Sequence, residues 1–245
     1  MTTLILASLF LFLLGTIPAT GQEAFERDVV DTTTGKLEIT FIGHGSLMFG
    51  FDGKIIHVDP FGQLTDYTKL PKADLILITH DHPDHLDLKA LESVRTGKST
   101  VILAQSCADR VAGGTVMRNG DVRTVTGIRI EALPAYNMVN KRPDGQFFHP
   151  RGSGNGYLLT FGGTRVYVAG DTENIPEMKA LARIDIAFLP MNLPYTMTPE
   201  MVADAAKAFK PKVLYPYHYG DTDVSRLVGL LKGSPEIEVR IRKMK

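Results

Sequence analysis

The sequence predicts an α/β protein, and three observations point to this class. Short apolar or β-branched runs, bounded by Gly, Pro, Asp or Asn, predict strands along most of the chain. Two turn dipeptides that tolerate positive φ, Asp52-Gly53 and Gly162-Gly163, join neighbouring runs into hairpins. Helix signals lie between and after the later strands. The composition is globular, with 44% hydrophobic and 22% charged residues, so we expect a sizeable core.

The predicted strands and helices alternate in chain order. The strands are Leu37–Ile42, Ser46–Phe51, Lys54–Val58, Leu75–Thr79, Val101–Ala104, Ile128–Leu133, Tyr157–Phe161, Arg165–Ala169, Ile186–Leu189, Val213–Tyr215 and Glu238–Ile241. The helices are Leu86–Arg95, Glu177–Ala182, Glu200–Phe209 and an amphipathic segment closed by Gly233. Thr198 followed by Pro199 is typical of a helix start. No repeat or composition break divides the chain, so one domain over residues 22–245 is the simplest prediction.

The N-terminus carries no charged side chain before Glu23. Leu4–Leu14 is an apolar block, too short to span a bilayer and followed by small residues. This pattern predicts a signal peptide, residues 1–21, cleaved before Gln22. An apolar strand or helix packed on the domain is the alternative. Export predicts a secreted or periplasmic protein with no stable membrane anchor after cleavage.

Charge and cysteine content exclude two further classes of protein, those that bind nucleic acid through their overall charge and those with internal disulfides. The 27 basic residues balance 27 acidic ones, so the chain as a whole has no attraction for nucleic acid. A single cysteine excludes an internal disulfide. The partner that we expect is a small-molecule substrate, and the sequence does not predict the oligomeric state.

The chemistry concentrates in residues 79–85, Thr-His-Asp-His-Pro-Asp-His, directly after an apolar strand. His80 and His82 are two residues apart, so on an extended segment both imidazoles project to the same side and can bind one metal ion. Asp84 and His85 follow the turn at Pro83 and can present an oxygen and a nitrogen to a second ion. The spacing therefore predicts a two-metal site. A charged loop that caps the next helix is the alternative.

The HxHxDH pattern of His80, His82, Asp84 and His85 resembles the signature of the metallo-β-lactamase superfamily. Three further segments match in the right order: Val58-Asp59-Pro60, Ala169-Gly170-Asp171-Thr172 and Pro216-Tyr217-His218. The resemblance covers roughly residues 37–220 and implies a four-layer αββα sandwich with metals at one edge of the sheets. Within the superfamily, Ile42-Gly43-His44-Gly45-Ser46 and Gly170-Asp171-Thr172 resemble a branch of metal-dependent hydrolases that is similar to ascorbate-phosphate lactonases and N-acyl-phosphatidylethanolamine phospholipases.

The resemblance implies a ligand set for two divalent cations. His80 and His82 would hold the first ion, Asp84, His85 and His218 the second, and Asp171 would bridge both. Asp59 would hydrogen-bond the histidine loop and fix ring orientation. Zinc is the expected metal, and manganese, iron and nickel use similar ligands.

The third ligand of the first ion departs from the pattern. Relatives often have a histidine after a Pro-Ala pair, whereas this chain has Tyr136 and then Asn137 after that pair. His149 is the favoured replacement and Asn137 the alternative, since an amide is a poor zinc ligand. His149 could also only line the pocket.

The predicted activity is hydrolysis of a phosphodiester, lactone or other ester by a hydroxide that the two cations activate and Asp84 orients. His44, Asn137 and Tyr195 are candidate substrate contacts, and Lys141, Arg142 and Asn192 lie in loops that could bind an anionic group. A β-lactam hydrolase and a non-catalytic binding module are the alternatives. His57, inside a strand, and Cys107, without a basic neighbour, are expected to be structural.

Overall fold

The computed structural model describes residues 25–245, which form two seven-stranded mixed sheets. The predicted signal peptide, residues 1–21, lies outside the described residues. In spatial order the first sheet contains β1 (Glu26–Thr32), β2 (Gly35–Gly43), β3 (Ser46–Phe51), β4 (Lys54–Val58), β5 (Leu75–Ile78), β6 (Thr100–Leu103) and β7 (Thr115–Val116). The second contains β8 (Val122–Val125), β9 (Ile128–Ala135), β10 (Gly154–Phe161), β11 (Thr164–Val168), β12 (Ile186–Pro190), β13 (Val213–Tyr217) and β14 (Glu238–Val239).

The two sheets repeat one connectivity. In each, the first four strands in chain order are antiparallel neighbours, and the remaining strands run parallel to the last of these four. The hairpin turn at Asp52-Gly53 has φ of 48° and 68°, and that at Gly162-Gly163 has 49° and 83°. Positive φ at both central residues suits the right-handed twist of the flanking strands, so both predicted hairpins form.

Four helices cover the outer faces of the sheets: α1 (Leu88–Val94), α2 (Pro176–Lys179), α3 (Pro199–Phe209) and α4 (Val224–Leu231). The side chain of Asp87 caps α1 by accepting from the amides of Lys89 and Ala90. Thr198 caps α3 in the same way, with Pro199 as its first residue. Helix α1 packs on the first sheet, and the other three pack on the second. The layers are therefore α, β, β and α, which confirms the predicted fold class.

The main core lies between the two sheets, because alternate residues of each strand point to opposite faces. In β5, Leu75 and Leu77 face the other sheet, whereas Ile76 and Ile78 face α1. Phe188 of β12 is completely buried at the centre of this core, and its ring lies 5.0 Å from that of Tyr215. Such burial of aromatic rings holds the sheets face to face.

Most predicted strands and all four predicted helices occur within two or three residues of their expected bounds. Three strands were not predicted: β1, β7 and β8. Strand β1 is mostly polar, with Val29 and Val30 as its apolar residues, and lies at an exposed sheet edge, whereas β7 has only two residues. Within residues 25–245, the structure has no helix with the length and apolarity that a bilayer crossing requires.

Candidate metal centre

The predicted site residues meet at one edge of the sandwich, where strand ends of both sheets converge. Thr79 and His80 directly follow β5, and Asp59 follows β4. From the second sheet, His218 follows β13, and Asp171 lies three residues after the end of β11. Residues at strand ends are held by a rigid scaffold while their side chains stay free to bind.

The first group of ligand atoms comes from His80, His82 and His149, whose nitrogens all lie within 4.8 Å of one another. Nε2 of His149 is 3.2 Å from Nδ1 of His82. The loop that precedes β10 thus carries His149 to the position of a third ligand. Asn137 contacts the other ring nitrogen of His149, Nδ1.

The second group comes from His44, Asp84, His85 and His218, again within 4.8 Å. Nε2 of His218 and Nε2 of His85 lie 3.5 Å and 3.8 Å from Oδ2 of Asp84. Nε2 of His44 is closer to the same oxygen, at 2.9 Å. His44, expected to contact substrate, is therefore also placed among the potential ligands of the second ion.

Asp171 lies between the two groups. Its Oδ2 is 3.3 Å from Nε2 of His149 and 3.5 Å from Nε2 of His218, and its Oδ1 is 3.5 Å from Nε2 of His85. A carboxylate has two oxygens and can bind two cations at once, which an imidazole cannot. Its carboxylate thus lies within 3.5 Å of imidazole nitrogens from both groups.

The donor set fits divalent cations. Five buried atoms in this cluster have no hydrogen-bond partner: Nε2 of His80 and His85, both ring nitrogens of His218, and Oδ1 of Asp171. Buried polar atoms are almost always hydrogen-bonded, and an ion is one recognised explanation of an exception. Histidine nitrogens and carboxylate oxygens are also the ligands that zinc, manganese and iron accept.

Asp59 and Thr79 set the orientation of two of these rings. Nδ1 of His85 donates to Oδ2 of Asp59 at 2.8 Å, and the Thr79 hydroxyl donates to the same oxygen at 2.6 Å. The hydroxyl oxygen of Thr79 then accepts from Nδ1 of His80 at 3.0 Å. Both imidazoles carry their hydrogen on Nδ1, which leaves Nε2 free to bind a cation. Sequence reasoning missed Thr79, although it directly precedes the histidine motif.

Asn137 orients the ring of His149, as Asp59 and Thr79 orient those of His85 and His80. Its Oδ1 accepts from Nδ1 and from the backbone amide of His149, at 2.9 Å and 2.7 Å. Its Nδ2 donates to the backbone carbonyl of Tyr195 at 2.9 Å and to Glu173. With both ends of its amide occupied, Asn137 orients a ligand and offers no contact to substrate, contrary to the expectation above.

Glu173 fixes the loop that contains Asn137. This carboxylate is fully buried and accepts from the backbone amides of Met138, Val139 and Asn140 at 2.7–2.9 Å. Sequence reasoning missed it, although it lies two residues after Asp171. Three backbone donors satisfy a buried carboxylate that has no cation beside it.

Three of the seven non-glycine residues with positive φ in residues 25–245 lie at the site. His44, Asp59 and His218 have φ of 49°, 44° and 47°. This left-handed region costs a non-glycine residue on the order of 1 kcal/mol and is found where function requires it. Gly45 is needed for a different reason: a Cβ there would lie 2.8 Å from Cε1 of His85. Positive φ at His44 and His218, together with the lack of a side chain at Gly45, thus allows His44 and His218 to lie close together.

The electrostatics favour the protonation states that bind cations at Asp171 and His80, and favour the protonated imidazole at His85. Burial raises the pKa of the Asp171 carboxyl, but His218 and His85 lower it more, so its pKa lies well below the ordinary value. Burial and the neighbouring His85 hold the pKa of His80 well below its usual range. Burial also lowers the pKa of His85, yet Asp171 and Asp59 outweigh it and raise this pKa to about 9. Cation binding would displace the His85 proton.

A cavity of about 390 Å³ opens over these groups. Besides ligand residues, its wall includes Arg142, Phe148, Asn192 and Tyr195. The Tyr195 side chain is 43% exposed, and its ring meets that of Phe148 edge-on at 5.0 Å. Tyr195 and Asn192 therefore lie where a substrate would contact them.

Two other residues lie outside the cavity wall. His57 is fully buried in β4, its Nε2 bonds the Pro71 carbonyl at 3.0 Å, and burial lowers its pKa to about 4. Cys107 is fully buried in the core beneath α1, and burial raises the pKa of its thiol to about 12. Both positions suit structural residues, and such a thiol is unreactive.

Comparisons with known proteins identify the family to which the chain belongs. Residues 38–218 match the family model described as β-lactamase superfamily domain. A UPF0173 metal-dependent hydrolase from Pelotomaculum thermopropionicum is 30% identical over 220 residues, which cover 84% of this chain and 96% of that protein. A crystal structure from Parabacteroides distasonis, assigned as a metal-dependent hydrolase, is 52% identical, with a TM-score of 0.86 over 90% of this chain and all of that chain.

A more distant solved structure is Igni18, a metallo hydrolase from the archaeon Ignicoccus hospitalis. It is 25% identical and has a TM-score of 0.71, covering 85% of this chain and 95% of that one. The family match spans both halves of the sandwich and every residue of the candidate site, from His44 to His218. The chain therefore belongs to the metallo-β-lactamase superfamily and is a metal-dependent hydrolase.

Proposed function

We propose that this enzyme hydrolyses an ester-type bond, in a phosphodiester, a lactone or another ester, with two divalent cations held side by side. The observation that carries the proposal is the position of Asp171 between two groups of ligand atoms that include the buried, unpaired Nε2 atoms of His80, His85 and His218. His80, His82 and His149 would hold one cation, and Asp84, His85 and His218 the other. Zinc is the proposed metal because the set combines imidazoles with carboxylates.

Bound cations would supply Lewis-acid activation of water and of the substrate's carbonyl or phosphoryl oxygen. The chain's own contribution begins with Asp84, whose side chain is 35% exposed at the cavity, against 3% for Asp171. Its Oδ2 is held by His44, which leaves Oδ1 to accept a hydrogen bond from the attacking water. Asp84 would thereby orient that water toward the substrate.

Other cavity residues would bind the substrate and hold it in place. The Tyr195 hydroxyl and the Asn192 side-chain amide are neutral donors on the cavity wall. The backbone around both residues is fixed, since the backbone N–H of Asn192 donates to the Thr196 hydroxyl at 2.8 Å. Fixed donors around a reacting oxygen are a general means of lowering the barrier to hydrolysis.

The test is a substrate panel assayed with zinc- or manganese-loaded protein: bis(p-nitrophenyl) phosphate, an aliphatic lactone, p-nitrophenyl acetate and a chromogenic cephalosporin. We expect turnover of at least one ester-type substrate and a loss of about 10²-fold or more in Asp84→Asn. Asp81→Asn is the matched control, because Asp81 lies in the same loop but in neither group of ligand atoms. Cleavage of the cephalosporin alone, or equal activity of the two variants, would overturn the proposal.

We also propose that the protein is exported through residues 1–21. The support is the uncharged apolar block Leu4–Leu14 followed by Ala19 and Gly21. Intact-mass measurement of the protein from its native host tests this. We expect a chain that begins at Gln22, and a chain that begins at Met1 would contradict export by cleavage.

A further inference from the structure

Arg142 occupies a defined place on the cavity wall. It belongs to a small hairpin in which its backbone amide donates to Gln146 at 2.7 Å and its carbonyl accepts from Gly145 at 2.9 Å. Its guanidinium carbon lies 5.1 Å from the centre of the Phe148 ring, and Nη2 donates to the Phe148 carbonyl at 3.4 Å. Stacking on an aromatic face orients the planar guanidinium. The charge is thus held at the mouth of the metal centre.

This guanidinium has no carboxylate partner among residues 25–245. Arg151, two residues after His149 in the chain, shows the contrast, because it pairs with Glu177 at 2.7 Å. The two carboxylates that do line the cavity, Asp84 and Asp171, belong to the ligand groups. Arg142 therefore presents an uncompensated positive charge to whatever enters the cavity.

The contact between Arg142 and His82 points to a missing acceptor. Nη2 of Arg142 lies 3.1 Å from Nε2 of His82, while Nδ1 of His82 faces Nε2 of His149 inside the first ligand group. A neutral imidazole carries hydrogen on only one nitrogen. With Nδ1 bound to a cation, the hydrogen would be on Nε2, so two donors would face each other. An oxygen anion that accepts from both resolves the conflict.

We propose that Arg142 selects substrates that carry an anionic oxygen group next to the scissile bond, with Arg142 and Nε2–H of His82 donating to that group. This inference rests on the proposed function and names its substrate class. A phosphodiester and a carboxylate-bearing ester both present such oxygens. A guanidinium recognises either one through two parallel hydrogen bonds.

Kinetics on matched substrate pairs test the proposal. One pair is bis(p-nitrophenyl) phosphate and its neutral methyl triester, and the other is p-nitrophenyl hydrogen malonate and p-nitrophenyl propionate. In Arg142→Met we expect KM for the anionic member to rise about 10- to 100-fold, the range of a lost hydrogen bond to a charged group. The neutral member should change by less than about threefold, and kcat should change little on both.

Inorganic phosphate gives a readout that does not depend on turnover. Calorimetric titration of the zinc-loaded protein should show phosphate binding that weakens about tenfold or more in Arg142→Met and is partly retained in Arg142→Lys. Lys141→Met is the matched control. Lys141 is on the same hairpin, but its Nζ lies over the Phe147 ring at 4.8 Å and not on the cavity wall.

The outcomes separate this inference from the proposed function. Equal losses on anionic and neutral substrates, an equal effect of Lys141→Met, or phosphate affinity unchanged in Arg142→Met would each overturn the role of Arg142. Zinc content and melting temperature that match wild type would show that the variants fold and load metal. If wild type hydrolyses none of the substrates, the proposed function fails, and the phosphate titration still decides whether Arg142 binds an anion.

Discussion

The carboxylate of Asp59 and the imidazole of His85 are joined by a 2.8 Å hydrogen bond in a completely buried position. Asp59 is not one of the grouped ligand residues, yet its Oδ2 fixes Nδ1 of His85 and, through Thr79, Nδ1 of His80. One carboxylate thereby orients a histidine of each proposed metal position. Such outer contacts commonly decide metal affinity.

Asp59→Asn should weaken the hydrogen bonds that orient His85 and His80, while the side chain keeps nearly the same size. An amide has one acceptor oxygen, whereas Asp59 accepts from the Thr79 hydroxyl and His85 with Oδ2 and from the Thr79 backbone N–H with Oδ1. At least one of these bonds is therefore lost, and we expect metal affinity to fall about 10- to 100-fold. Competition with a chromogenic chelator measures the change. Asp74→Asn is the control, because Asp74 accepts from Ile55 and Lys54 away from the site. Equal affinities for wild type and Asp59→Asn would contradict the role of Asp59.

Asn137→Ala should act on the first metal position alone. It removes the acceptor for Nδ1 of His149, so the imidazole loses its fixed orientation and we expect a loss of about tenfold or more in metal affinity at that position. Asn140→Ala is the matched control: its side chain bonds the Thr196 carbonyl from the same loop. Zinc titration that still shows two equally tight positions in Asn137→Ala would refute this reading.

Phe188→Ala should cost the most stability of the variants considered. Its ring is completely buried between the sheets and lies within 5.0–6.2 Å of the rings of Phe41, Phe49, Tyr215 and Tyr217. Truncation leaves a cavity, and we expect the free energy of unfolding to fall by about 3–5 kcal/mol. Urea denaturation measures it, with the less buried Phe147→Ala as control. A loss below about 1 kcal/mol would mean that the core between the sheets is packed differently.

Asp28 should make stability depend on acid pH. Burial raises the pKa of this carboxyl, but hydrogen bonds from Tyr215 and Arg242 lower it more, so the folded pKa lies below the unfolded one. Arg242 Nη2 reaches both oxygens, at 2.7 Å and 2.8 Å, and links β1 to the C-terminal segment. The stabilisation is present above the unfolded pKa and is lost as pH falls through the folded value.

Unfolding free energies of wild type and Asp28→Asn, measured from neutral pH down to about pH 3, check this prediction. The variant should be less stable by about 1–2 kcal/mol at neutral pH, and the two curves should converge in acid. A difference that stays constant as pH falls would contradict the assignment to Asp28.

Most of the fold was predictable because its signals are local. Apolar runs, the two hairpin dipeptides and the caps at Asp87 and Thr198 each specify an element from neighbouring residues. The exposed edge strand β1 was not predictable, because its mostly polar residues resemble a loop and its partners in the C-terminal segment are about two hundred residues away. Only the tertiary structure brings Asp28 to Arg242.

The candidate site was likewise predictable from the sequence only in part. The histidine motif and Asp171 stand out in the sequence, since their residue types and spacing have few other uses. The roles of Thr79, Asn137 and Glu173 could not be inferred, because a hydroxyl, an amide or a carboxylate orients a ligand only through long-range contacts. Asn137 illustrates this best: the sequence suggested a ligand or substrate contact, and the structure places it against Nδ1 of His149.

The metal content of the purified protein tests the central claim most directly. Elemental analysis of zinc-loaded wild type, after removal of free metal, should give about two ions per chain, as a two-metal site requires. Asp171→Asn should retain fewer than half of them while keeping the wild-type circular dichroism spectrum. One ion or fewer per folded wild-type chain, or full metal content in Asp171→Asn, would contradict a site in which Asp171 is shared by two cations.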